Sequence, residues 1–131
     1  MNENDWNAYL KAVFGVPSFG GGVKNFDEIF KLKSLLEDAK IPFEFDMEPD
    51  KGGYHISYPS SDPKDRVCSV VLHSFSYGRE SGLLEIMGLL TDDELEYDTV
   101  VGYLDADDVF ERIEKHFLNM NPAEKGECDA L

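Results

Sequence analysis

Four side chains near the middle of this chain have the types that do covalent chemistry: His55, Cys68, His73 and Ser76. A thiol or hydroxyl becomes a nucleophile when a base lies within hydrogen-bond reach and a third group orients that base. Cys68 and His73 are five positions apart on what reads as one strand. That odd separation sends them to opposite faces and argues against a Cys/His pair within the strand. His55 can approach from a neighbouring strand, but the sequence names no third, orienting residue. The competing reading makes Cys68 core filler and both histidines strand or edge residues, and the spacing favours it. No catalytic residue is assigned on this basis.

Two carboxylate clusters, Asp92-Asp93-Glu94 and Asp105-Ala106-Asp107-Asp108, have oxygen ligands for a divalent cation. Neither follows the calcium-loop spacing, and helix capping plus solvation account for the second. No metal or cofactor is implied. The loop from Ser74 to Gly82 offers hydroxyls, an aromatic ring and a guanidinium between glycines. Ser76, Tyr77 and Arg79 could hold a small polar ligand there. The same residues suit a turn between strands, with Arg79 and Glu80 paired at the surface, and that is the favoured reading.

Charge sets the widest bound on function. The 131 residues carry 12 Lys plus Arg against 27 Asp plus Glu, a formal net charge of −15. Asp92, Asp93, Glu94, Glu96, Asp98, Asp105, Asp107, Asp108, Glu111 and Glu114 face a single cation within their span, Arg112. Such a field repels nucleic acid and anionic membrane and attracts basic surfaces. A solvated helix face explains many charge runs, but this one is more lopsided than solvation needs. A rigid carboxylate array can imitate duplex DNA, which carries one charge per about 1.7 Å of axis. With 42% hydrophobic and 12% aromatic residues, the charge belongs to a folded body. Two cysteines, Cys68 and Cys128, suggest no disulfide framework. No leader or membrane-spanning stretch is expected, and a cytoplasmic location follows.

Trp6, Tyr9, Leu10, Val13 and Phe14 recur at helical spacing and predict a first helix. Its apolar stripe could pair with a second copy of the chain. The Gly-rich stretch around Gly20–Gly22 lacks phosphate-loop chemistry and reads as a connection. Asn25 and Glu28 fit a capping box for a second helix reaching about Ala39. Phe43, Phe45 and Met47 alternate with Glu44, Asp46 and Glu48, the pattern of a half-buried strand. Pro49 to Gly53 is turn chemistry, so Tyr54 to Tyr58 should return as the second arm of a hairpin. Val67–Leu72 reads as a strand central in the sheet. Leu83–Leu90 reads as a fourth strand, with a helical alternative, and Thr99–Tyr103 as a short fifth. Asp105 and Asp108 then cap a last helix whose Val109, Phe110, Ile113 and Phe117 face the core. The expectation is an α+β fold in one domain: an antiparallel meander of four to five strands, two N-terminal helices and one C-terminal helix. Residues 1–24 form an appended helix and connection, 25–120 the core domain, and 121–131 a flexible tail.

Between Phe26 and Phe117 the chain resembles small, uncharacterised acidic proteins of bacteriophages and prophages. The resemblance lies in Ile41-Pro42-Phe43-Glu44-Phe45, in Gly52-Gly53-Tyr54-His55-Ile56-Ser57-Tyr58-Pro59, in Gly82-Leu83-Leu84-Glu85-Ile86-Met87-Gly88-Leu89-Leu90, and in Val100-Val101-Gly102-Tyr103-Leu104. It carries over no functional residue. It implies a context in which small acidic proteins, anti-CRISPR proteins among them, block host nucleic-acid machinery.

The leading expectation is a non-enzymatic inhibitor. Its acidic face, with Glu44, Asp46 and Glu48 as a candidate extension, would occupy the basic channel of a host nucleic-acid-binding defence protein such as a CRISPR nuclease. The alternatives are a ligand-binding module around the 74–82 loop, lined by Tyr54, Tyr58 and Tyr77, or an enzyme built on the histidines or carboxylates.

Overall fold

The structure is a computed structural model and describes residues 22–121. The helix predicted around Trp6 to Phe14, its proposed self-pairing, and the tail beyond Asn121 lie outside the described residues.

Ile29, Leu32 and Leu36 recur at helical spacing and are fully buried along α1, Asp27–Asp38. Each contributes roughly 1.5–3 kcal/mol by leaving water. The predicted Asn25/Glu28 capping box does not form. The Asn25 side chain accepts from the Asp27 N–H at 3.0 Å. The Glu28 carboxylate accepts instead from the Ala106 N–H at 2.7 Å, where an acidic group also meets the positive end of another helix. Lys40 closes α1 in the left-handed region, with Ile41 N–H bonded back to Leu36 O at 3.0 Å, and Pro42 prevents resumption.

Five strands follow in sequence order: β1 Glu44–Glu48, β2 Gly53–Tyr58, β3 Cys68–Leu72, β4 Leu84–Met87 and β5 Val100–Leu104. Each pairs antiparallel with the next, giving the expected meander β1-β2-β3-β4-β5. The short helix α2, Asp92–Leu95, sits between β4 and β5, and α3, Ala106–Met120, completes the order. Within the Leu83–Leu90 segment, Leu84–Met87 is strand and no helix forms. The fold is α+β, as its sequence pattern indicates.

The register sorts the side chains. Tyr54, Ile56 and Tyr58 on β2 lie beside Leu72, Val70 and Cys68 on β3, and all six are buried. Phe26, at the start of α1, and Phe30 within it contact the Tyr54 ring edge-on at 5.1 and 5.0 Å. His116 of α3 meets the Tyr58 ring and bonds its hydroxyl through Nδ1 at 2.8 Å. α1 and α3 therefore cover the same side of the sheet, and Ala106, Val109 and Ile113 are fully buried there. The opposite side carries Glu44, Asp46, His55, Ser57, Ser69, Val71, Glu85 and Met87. Ser57 is fully buried among these neighbours.

Candidate functional site

The acidic segment is built around Arg112. Its side chain is 16% exposed, and every arm of the guanidinium is engaged. Nε donates to Asp108 at 2.7 Å, Nη1 to the Leu89 carbonyl at 3.1 Å, and Nη1 and Nη2 to the two oxygens of Glu94 at 2.8 and 2.7 Å. Glu94 also completes the capping box of α2, whose N-cap is Thr91. Thr91 N–H donates to it at 2.8 Å while the Thr91 hydroxyl accepts from Glu94 N–H. Hydrogen bonds from Arg112, then from the Thr91 backbone, hold the Glu94 carboxyl at about 2, well below its ordinary range. The same contacts raise the Arg112 pKa further. A four-residue helix is too short to stand alone, and this fork clamps it to α3.

The ten acids therefore divide. Glu94 and Asp108 share the single positive charge of Arg112. Asp105 caps α3 by accepting from Asp108 N–H at 2.8 Å. The reciprocal half of the predicted capping box is absent from the described bonds, because the Asp108 side chain goes to Arg112. Asp107 pairs with Lys31 at 3.1 Å, and Asp98 accepts from Thr99 N–H at 2.6 Å. Asp92, Asp93, Glu96 and Glu111 remain exposed and Glu114 half-exposed. Two apolar side chains stand among the acids of α2: Leu95 is 54% and Tyr97 90% exposed. A groove of about 670 Å³ runs along α3, lined by Leu89, Thr91, Glu111, Arg112, Lys115 and His116 among others.

The 74–82 loop is a structured cover. Ser76 is fully buried; its hydroxyl accepts from His73 N–H and donates to His73 O, both at 3.0 Å. Tyr77 N–H donates to Glu85 at 2.8 Å, and Arg79 Nη1 to Ser76 O at 3.0 Å. The Glu80 carboxylate accepts from the Tyr103 hydroxyl on β5, which keeps that carboxyl below its usual range. The expected surface pair of Arg79 with Glu80 is replaced by these contacts. Tyr77 keeps its side chain exposed.

Of the nucleophile and base candidates, Cys68 is 2% exposed, and burial pushes its thiol up to about 12. His73 lies just past the end of β3, nearly buried, and its pKa is lowered chiefly by desolvation. Its Nδ1 accepts from Phe75 N–H at 3.1 Å, which is a structural role. His55 is placed differently: the Glu48 carboxylate stands 3.5 Å from Nδ1, and Ser69 Oγ 3.0 Å from Nε2. Glu48 is the third residue that sequence spacing did not name. The signal was present in the alternation of β1, which sends Glu48 to the same face as Asp46, but its use required the hairpin register.

Among the described residues no group of three His, Cys, Asp or Glu side chains is arranged to hold a metal ion, and no helix is long and apolar enough to cross a membrane. No family model matches the chain, and no curated protein or solved structure matches it.

Proposed function

We infer that the protein acts by docking its acidic surface on a basic, nucleic-acid-binding protein, in the place that nucleic acid would occupy. The observation that carries this reading is the clamp of Arg112 on Glu94. It fixes α2 against α3 and displays the unspent carboxylates Asp92, Asp93 and Glu96 around the exposed Tyr97. Fixed carboxylates attract Lys and Arg without the entropy cost of ordering a loose tail. An exposed tyrosine among them offers an arginine a cation–π contact. The net charge of −15 supports exclusion of nucleic acid and anionic membrane as direct partners. A host defence nuclease of the CRISPR type has the required channel, and the phage-like sequence style points the same way.

The test must spare the structural acids. Reversing Asp105, Asp107 or Asp108 removes a cap, a bridge to Lys31 or an Arg112 partner, and so confounds binding with folding. The informative variant is Asp92→Lys/Asp93→Lys/Glu96→Lys, compared with the parent for binding to purified CRISPR nucleases and other basic nucleic-acid-binding proteins. Expected are salt-sensitive binding by the parent, competition by duplex DNA, and a loss of at least tenfold in affinity for the triple variant. Equal binding by the triple variant would exclude this surface.

A further inference from the structure

The side of the sheet opposite α1 and α3 holds, among the described residues, a polar row across three strands. Glu48 ends β1, His55 lies on β2, and Ser69 lies on β3 opposite Ser57. His55 Nδ1 is 3.5 Å from Glu48 Oε2. Nε2 is 3.0 Å from Ser69 Oγ and 3.2 Å from Ser57 Oγ. An Nδ1–H directed at the carboxylate leaves Nε2 as an acceptor facing the hydroxyls, which is the tautomer a general base requires. Of the two hydroxyls, Ser57 is fully buried, whereas Ser69 is only half-buried and so lies within reach of a reagent from solvent. The imidazole and carboxylate are 17% and 25% exposed, so the row is partly shielded from water along its length, with Ser69 half-buried like its partners.

We propose that Ser69 is a nucleophile that accepts acyl groups from activated esters, with His55 as its general base and Glu48 as the residue that positions His55.

In the first step Ser69 Oγ bonds to the ester carbonyl carbon as its proton passes to His55 Nε2. The bond from that carbon to the leaving oxygen breaks, and the leaving oxygen takes the proton from His55. Water then gives a proton to His55 Nε2 as its oxygen bonds to the acyl carbon; the bond from that carbon to Ser69 Oγ breaks, Oγ takes the proton back from His55, and the acid leaves. The substrate class follows from what the row lacks. β3 is paired on both edges, so its N–H groups near Ser69 are spent on the ladder and none is free to stabilise an oxyanion. Such a site handles aryl esters and phosphonylating reagents, whose leaving groups depart readily, and leaves peptides and alkyl esters untouched.

The experiment is covalent labelling of the full chain with a fluorophosphonate probe, with the modified peptide mapped by mass spectrometry and the rate followed in parallel with hydrolysis of an aryl acetate. Labelling at Ser69 is expected in the parent and in Ser57→Ala. It is lost in Ser69→Ala and slowed about a hundredfold or more in His55→Gln, the usual size of a general-base contribution. Glu48→Gln at the sheet edge should slow labelling about tenfold with an unchanged melting temperature, and Glu48→Asp should recover part of that loss. An unlabelled parent, a label mapped elsewhere, or a Glu48→Gln or His55→Gln variant that labels at the parental rate overturns the proposal.

Discussion

The guanidinium of Arg112 holds the Glu94 carboxylate in two parallel hydrogen bonds, 2.8 and 2.7 Å long, across eighteen residues of chain. Most of the guanidinium is shielded from water, and its remaining donors go to Asp108 and the Leu89 carbonyl. This geometry needs a planar fork, which an ammonium does not provide. Arg112→Lys should therefore behave much like Arg112→Met, each losing about 2 kcal/mol, because both leave Glu94 and Asp108 poorly paired among like charges. Urea unfolding of the two variants checks this. Full stability in Arg112→Lys would mean that charge alone holds α2 in place.

The same contact makes stability depend on acid. The folded Glu94 carboxyl titrates at about 2 against an ordinary value of 4.5, so the unfolded chain binds that proton more readily. The stabilisation is complete above pH 4.5 and disappears as pH falls toward 2. After solvent screening it amounts to about 1–2 kcal/mol. Glu94→Gln should be less stable than the parent at pH 7, and the gap should close across that interval. Melting curves at intervals from pH 6 to pH 2 measure the gap. A constant difference would show that Glu94 acts through its cap alone.

How far these features were legible in the sequence depends on how locally they are determined. The β1–β2 hairpin was readable because Phe45 and Met47 alternate with acids and the Pro49–Gly53 turn fixes the register. The Asp105 cap was readable because its partner lies three residues away. Glu28 was misassigned for the complementary reason. Its spacing from Asn25 fits a local box, but the Ala106 N–H, 78 positions distant, offers it a helix terminus. The Glu48–His55–Ser69 row depends on two successive strand registers, and composition carries no trace of those. Counting ten acids against Arg112 gave the sign of the surface correctly. It could not reveal that Arg112 ties two of them into one ion-paired cluster.

Cys68 should be chemically silent in the folded protein. Its thiol sits beside Tyr58 on the helix-covered side, 2% exposed, and burial keeps it protonated up to about 12. A thiolate is the reactive species, and access is needed as well. Iodoacetamide at pH 8 should leave the Cys68 peptide unmodified in buffer and modify it fully in urea, as read by peptide mass spectrometry. Rapid alkylation under native conditions would show that β3 opens locally without global unfolding.

Gly53 tests the sheet where its first three strands meet. A Cβ at this position would stand 2.0 Å from the Leu72 carbonyl oxygen and 2.5 Å from the His73 Cα. Both are backbone atoms at the end of β3, so neither can rotate aside as a side-chain tip would. Gly53→Ala should cost about 3 kcal/mol or more by forcing β2 away from β3. Gly82 provides the comparison. It has a positive φ of 71°, but an added Cβ would meet only the Asn25 side chain, at 3.1 Å. Gly82→Ala carries the left-handed penalty of roughly 1–2 kcal/mol and little steric cost. The order of the two variants in urea unfolding separates contact from conformation: if Gly82→Ala is the worse, backbone strain outweighs the close approach at Gly53. Because Tyr54 and His55 follow Gly53 directly in β2, its displacement should also pull His55 away from Ser69. Amide hydrogen exchange in Gly53→Ala should then accelerate at the β2–β3 ladder before it does in α1.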